Sequence, residues 1–201
     1  MAALASTVWM TDASATVVTF STPINVPSNI DGIYINFLTG ASATLATGVA
    51  GWDWNPYNSG TSLSFFWSAT PSQASGVAST TTGPYTALTA GSVISSASTF
   101  AQVTATAAAA AFQPIGTHLL GFRFYNESTT TINYGYATLV SSSATGFPLT
   151  VTGWSFENSG GAITIPAVPE PESVLMLSLG ALVVGGLNMR RLRRERRNAG
   201  N

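Results

Sequence analysis

From residue 16 to residue 165 the chain is cut into short runs of β-branched and aromatic residues by clusters of glycine, proline, asparagine and serine. The runs fall at residues 16–20, 32–37, 63–67, 118–125, 131–140, 149–156 and 162–165. A strand points successive side chains to opposite faces, so the alternation of Phe122 and Phe124 around Arg123 marks one buried face. Short strands at this spacing predict an all-β body over residues 16–165, an antiparallel β-sandwich or jelly roll. The alanine-rich stretch 105–111 has good helix propensity and predicts a short helix of two turns ahead of Pro114.

Only 7% of the residues are charged and none is lysine, whereas about 25% is usual in a soluble domain. The hydrophobic fraction of 45% is still sufficient to offset chain entropy, so the body folds. Within residues 1–167, Arg123 is the sole basic residue, set against five acids, Asp12, Asp31, Asp53, Glu127 and Glu157, a balance of −4. A single cation does not neutralise a run of phosphates, which excludes nucleic acid as a partner of the body. The absence of cysteine excludes disulfides, thiolate–metal sites and a cysteine nucleophile. His118 is the only histidine, so a histidine-based metal cluster is excluded, and no Gly-x-Ser-x-Gly elbow accompanies it. A glycosidase needs two carboxyls facing each other across a cleft, and Asp31, Asp53, Glu127 and Glu157 are scattered along the chain. The body is therefore read as non-enzymatic, with no cofactor and no metal.

The C-terminus has a different character. Residues 173–189 are seventeen consecutive positions without a charge, about 25 Å as a helix and close to the roughly 30 Å of a bilayer core. Val174, Leu175, Leu177, Leu179, Leu182, Val183, Val184 and Leu187 cover every face of such a helix. This predicts a single transmembrane helix over 174–189, followed by a basic tail over 190–201. The six arginines Arg190, Arg191, Arg193, Arg194, Arg196 and Arg197 hold that tail in the cytoplasm by the positive-inside rule, which places the body beyond the inner membrane. Residues 1–15 lack a basic n-region, yet Ala13-Ser14-Ala15 has the small-x-small pattern of a signal-peptidase site. They are read as the remnant of a signal peptide, with Thr16 as the mature N-terminus, or as a flexible terminus.

Val168-Pro169-Glu170-Pro171-Glu172-Ser173, the apolar span and Arg190-Arg191-Leu192-Arg193-Arg194 follow one another at the end of the chain. In order, spacing and position this resembles the PEP-CTERM sorting signal. The resemblance implies that Val168, Pro169, Glu170 and Pro171, within the linker 166–173, are recognised by an exosortase. That enzyme is membrane-embedded, uses a cysteine nucleophile, and cuts near the motif to release or transfer the body. It also implies a Gram-negative bacterium that makes exopolysaccharide. Physically the motif is suited to a protease, because Pro169 and Pro171 fix φ and favour an extended segment beside the membrane. In the body, Gly121-Phe122-Arg123-Phe124, Tyr134-Gly135-Tyr136-Ala137 and Gly153-Trp154-Ser155-Phe156-Glu157 resemble a recurrent body type found ahead of such tails, with Tyr136 where tryptophan is commoner. There the three segments form adjacent strands, and no activity is implied.

Trp52-Asp53-Trp54-Asn55-Pro56-Tyr57 is the segment of the body with the most chemistry. If exposed in a loop, Trp52, Trp54 and Tyr57 offer flat apolar faces to sugars, with Asp53 and Asn55 as hydrogen-bonding partners. The competing reading is a turn whose aromatics cap the core. Two expectations follow. One is an exported envelope or extracellular-matrix protein, with exosortase and the inner membrane as partners and a body of unspecified role. The other is a carbohydrate-binding surface protein associated with exopolysaccharide.

Overall fold

The computed structural model describes residues 16–167. The leader candidate 1–15, the motif Val168-Pro169-Glu170-Pro171, the apolar span and the arginine cluster lie outside the described residues. Fourteen strands follow in order: β1 (Val17–Phe20), β2 (Ile24–Val26), β3 (Tyr34–Ile35), β4 (Ser42–Ala43), β5 (Trp54–Asn58), β6 (Leu63–Trp67) and β7 (Ser75–Val77), then β8 (Ala87–Leu88), β9 (Val93–Ile94), β10 (Phe100–Ala101), β11 (Gly116–Asn126), β12 (Thr131–Ser141), β13 (Leu149–Glu157) and β14 (Ile163–Thr164). The body is all-β, in antiparallel sheets. Among the described residues no helix is long and apolar enough to cross a membrane.

The long strands β11, β12 and β13 lie side by side and form the centre of an eight-stranded sheet. At one edge both β1 and β2 pair with β13; at the other β7 and β8 pair with β11, and β10 with β7. A four-stranded sheet runs in the order β4-β3-β5-β6, and β9 pairs with β14. Alternation works as the sequence predicts: Leu120, Phe122 and Phe124 are fully buried in the main core while Arg123 is half-buried on the opposite face. On that opposite face Ile94, Phe100, Tyr134, Ile163 and Ile165 form a second cluster, so the large sheet is covered on both sides.

Strand β13 changes parity partway along. Thr138 pairs with Gly153 but Leu139 with Val151, so Thr152 is an extra residue on β13. This bulge lets Leu149 and Val151 before it, and Trp154 and Phe156 after it, enter the same core.

Two expectations are corrected and a third is made specific. Residues 54–58 are not a loop but the strand β5, inside the small sheet. Pro56 is tolerated because its N–H-less side faces the start of β3, where its carbonyl accepts from Ile33 N–H at 3.2 Å. Residues 32–37, expected as one strand, pair only at Tyr34 and Ile35. Asn36 ends the strand by folding a turn, its N–H donating to Ala41 O and its side-chain oxygen accepting from Thr39 N–H. The short helix expected ahead of Pro114 is present, as the 3-10 helix Thr106–Phe112. It has no side-chain N-cap, and Ala108 O accepts from Tyr85 N–H at 2.8 Å, which ties the helix to the segment just before β8.

The two sheets share the main core, and Phe37 is where they meet. Its ring stacks on Phe122 of β11 at 3.8 Å and 8°, and lies within 6.5 Å of Trp54, Trp67, Phe124 and Trp154. Emptying such a site forfeits both burial and packing. Phe37→Ala is expected to destabilise the fold by about 3–5 kcal/mol in urea denaturation. A loss below about 1 kcal/mol contradicts the role assigned to this ring.

Candidate functional site

The segment singled out by sequence is divided by the start of β5: Trp52 and Asp53 precede the strand, and Trp54 opens it. Trp54 has no exposed surface and packs among Phe37, Phe65 and Trp67 in the core. Asp53 is 1% exposed, so neither it nor Trp54 presents anything to a sugar, and both are withdrawn as glycan contacts. Asn55 is buried too, its side-chain amide donating to Asp31 O at 2.8 Å. Tyr57 is half-buried, and its hydroxyl is engaged with Thr104 O at 3.2 Å.

Trp52 alone remains available, and it has other partners than those expected. Asn36 holds the chain just before it, donating from its amide to Ala50 O at 3.0 Å and Gly51 O at 2.7 Å. The half-buried Trp52 ring lies edge-on to Tyr34 of β3 at 5.0 Å and tilted on Phe66 of β6 at 5.4 Å. Phe66 is 43% exposed. Tyr34 and Phe66 come from the strands that flank β5, on the face away from Ile35, Trp54 and Phe65, so the three rings make an aromatic ledge on the outside of the small sheet. Phe66 is legible in principle: Phe65 and Phe66 are adjacent in a strand, so one must face outward.

Asp53 is a structural carboxylate. One oxygen accepts from Phe37 N–H at 2.7 Å and the other from the Ser72 hydroxyl at 2.5 Å. Ser72 O in turn accepts from Tyr125 N–H, so the carboxylate ties the small sheet to the loop that runs into the large one. Burial pushes its pKa up to about 7. The Ser72 and Phe37 hydrogen bonds act against that rise, and the nearby Glu127 carboxylate adds to it. Ser72 carries no sequence signal that marks it as this partner.

The remaining candidates do not assemble. The His118 ring places Nε2 2.8 Å from Pro114 O, and so carries its proton there. Asp31 is exposed, and Glu157 is buried, accepting from Ser159 N–H and Gly161 N–H. Among the described residues no three of His, Asp or Glu gather closely enough to hold a metal ion. The chain matches no family model, no curated protein and no solved structure.

The shifted Asp53 makes stability depend on pH. Its folded pKa of about 7 lies above the unfolded 3.8, so the folded state binds the extra proton between those values. That contribution is fully present below about pH 4, and is lost as the pH rises through 7. An asparagine in place of Asp53 can keep both contacts, its oxygen accepting from Phe37 N–H and its amide donating to Ser72, whose hydroxyl is able to accept. Urea denaturation of wild type and Asp53→Asn should therefore show the variant gaining relative to wild type by roughly a hundredfold in folding equilibrium constant between pH 4.5 and 8. A constant difference across that range refutes the assignment.

Proposed function

We propose that this chain is an exported protein of the bacterial cell envelope or extracellular matrix, with a non-enzymatic β-sandwich body. A C-terminal helix holds it transiently in the inner membrane, body periplasmic and arginines cytoplasmic. An exosortase acting at Val168-Pro169-Glu170-Pro171 then frees it for the outer envelope or the medium. The observation that carries this reading is the order of three elements in the last thirty or so residues: the proline–glutamate motif, the uncharged span of residues 173–189 and the arginine cluster. Each has a separate physical role, respectively an extended cleavage site, a membrane hold and an orientation. The sandwich description is supported by two sheets that feed one core through Phe37 and Phe122. Mass spectrometry of the exported protein tests the processing step. In cells with the exosortase, the mature species should end near the motif and lack Arg190 to Arg197; without it, the full-length chain should stay in the membrane fraction. An intact arginine tail on the exported protein overturns the mechanism.

The aromatic ledge favours a second reading, in which the body associates with exopolysaccharide. Tyr34, Trp52 and Phe66 present ring faces and edges at one surface, and stacking on aromatic rings suits the apolar C–H faces of sugars. Trp52→Ala should weaken retention on the producer's own polysaccharide by about tenfold while leaving the circular dichroism spectrum unchanged. Unaltered retention removes the ledge from consideration.

A further inference from the structure

Beside the edge of the large sheet, the link from β1 to β2 faces the turn from β3 to β4 across a hollow of about 400 Å³. Small-ligand sites commonly occupy roughly 300–1,000 Å³. The aromatic part of its wall is built. Phe20 stacks on Trp154 at 4.9 Å and 20°, and Trp154 is itself fixed by donating from Nε1 to Phe37 O at 3.0 Å. Gly40, with φ +77°, lets the turn approach: a Cβ there would come within 2.6 Å of Phe20 Cε1. Ile24 and Ile33 complete the apolar side.

The polar side is made of hydroxyls and an amide, with hydrogen-bonding capacity left over. Thr22 and Ser42 are exposed, and their hydroxyls make no hydrogen bond within the protein among the described residues. Asn25 accepts through its oxygen from the Thr150 hydroxyl at 3.0 Å, which leaves its NH₂ to donate. Thr39 accepts from Ala41 N–H, which leaves its O–H to donate. None of the ten lining residues carries a charge. An anion or a cation would exchange its hydration for no counter-charge, and so is disfavoured. An uncharged ligand with one apolar face and several hydroxyls meets every feature of the wall. A second hollow of about 200 Å³ shares Phe20 and Trp154 and adds the hydroxyl residues Thr138, Thr152 and Ser155, again without a charged side chain.

We propose that this cleft binds neutral hexose residues of a polysaccharide, with the half-buried Phe20 ring, backed by the buried Trp154, as the aromatic wall and Thr22, Asn25, Thr39 and Ser42 as the hydrogen-bonding rim. The inference rests on the polysaccharide reading above but places the sugar at a different site from the Trp52 ledge. Unlike the ledge, the cleft pairs aromatic surface with free donors and acceptors, which fixes orientation as well as contact.

The test is isothermal titration of the detergent-solubilised full chain with three probes: cellohexaose, a neutral galactan and anionic alginate. The variants are the rim triple Thr22→Ala/Asn25→Ala/Ser42→Ala and, separately, Trp52→Ala. Because the three rim positions are exposed, the triple should keep the wild-type spectrum and melting temperature. At least one neutral probe should bind, the triple should weaken it by about tenfold or more, and Trp52→Ala should leave it unchanged. Unaltered binding in the triple overturns the cleft, as does alginate binding as tightly as the neutral probes. If Trp52→Ala alone abolishes binding, the polysaccharide reading stands at the ledge and the cleft falls. Binding of neither neutral probe, nor of the producer's own polysaccharide, overturns both. A synthetic peptide of residues 1–15 that occupies the cleft in competition with the sugars identifies a chain segment as the occupant, and overturns the proposal.

Discussion

The face of Phe37 against Phe122 is the contact on which the two sheets depend, and the residue is held by more than its ring. Its N–H donates to Asp53, its carbonyl accepts from the Trp154 indole, and its ring touches five other aromatics. It sits in a turn just after β3, where a backbone outside the ladder would otherwise bury unpaired polar groups. Asp53 and Trp154 answer that need from opposite layers: Asp53 immediately precedes β5 of the small sheet, and Trp154 belongs to β13 of the large one. A buried carboxylate in so charge-poor a body therefore serves backbone satisfaction, at the expense of the desolvation that lifts its pKa.

Much of the fold is legible because its longest strands obey the alternation rule with little interruption. Residues 118–125, 131–140 and 149–156 match β11, β12 and β13 closely. Even the parity change of β13 is written locally, in the glycine after Val151-Thr152, since glycine within a strand often marks a bulge. The failures have a common cause. Residues 54–58 resemble a loop because proline and asparagine usually break strands, and the small sheet admits them only because Pro56 faces a gap in the β3 ladder. The short helix of 106–112 is legible in its alanines, whereas its 3-10 form and its tie to Tyr85 N–H are not. Where local preference is weak, a distant partner decides the outcome.

The candidate sites divide in the same way. That Trp52 takes part in an aromatic surface and Trp54 does not follows from where β5 begins: alternation alone would put residues two apart on one face, but Trp52 precedes the strand and Trp54 starts it. The partners of Trp52 lie 18 residues before it and 14 after it, at Tyr34 and Phe66. The cleft is not legible at all. Its two walls are Phe20 to Asn25 and Thr39 to Ser42, brought together where Gly40 meets Phe20, a tertiary contact that no local pattern encodes.

Ledge and cleft differ in how far each can change without the fold. The ledge stands on the outer face of the small sheet, beyond the strand that buries Trp54, so its rings can vary while the core stays packed. The cleft cannot be separated so cleanly. Its Trp154 wall is held by the carbonyl of Phe37, and Phe20 rests on that indole, so the position of the innermost ring follows from the same contact that joins the sheets. Only the exposed rim of Thr22, Asn25 and Ser42 lies outside this chain of dependence. The rim can therefore change without disturbing the core, while the position of the aromatic wall stays fixed by the requirement that the protein fold.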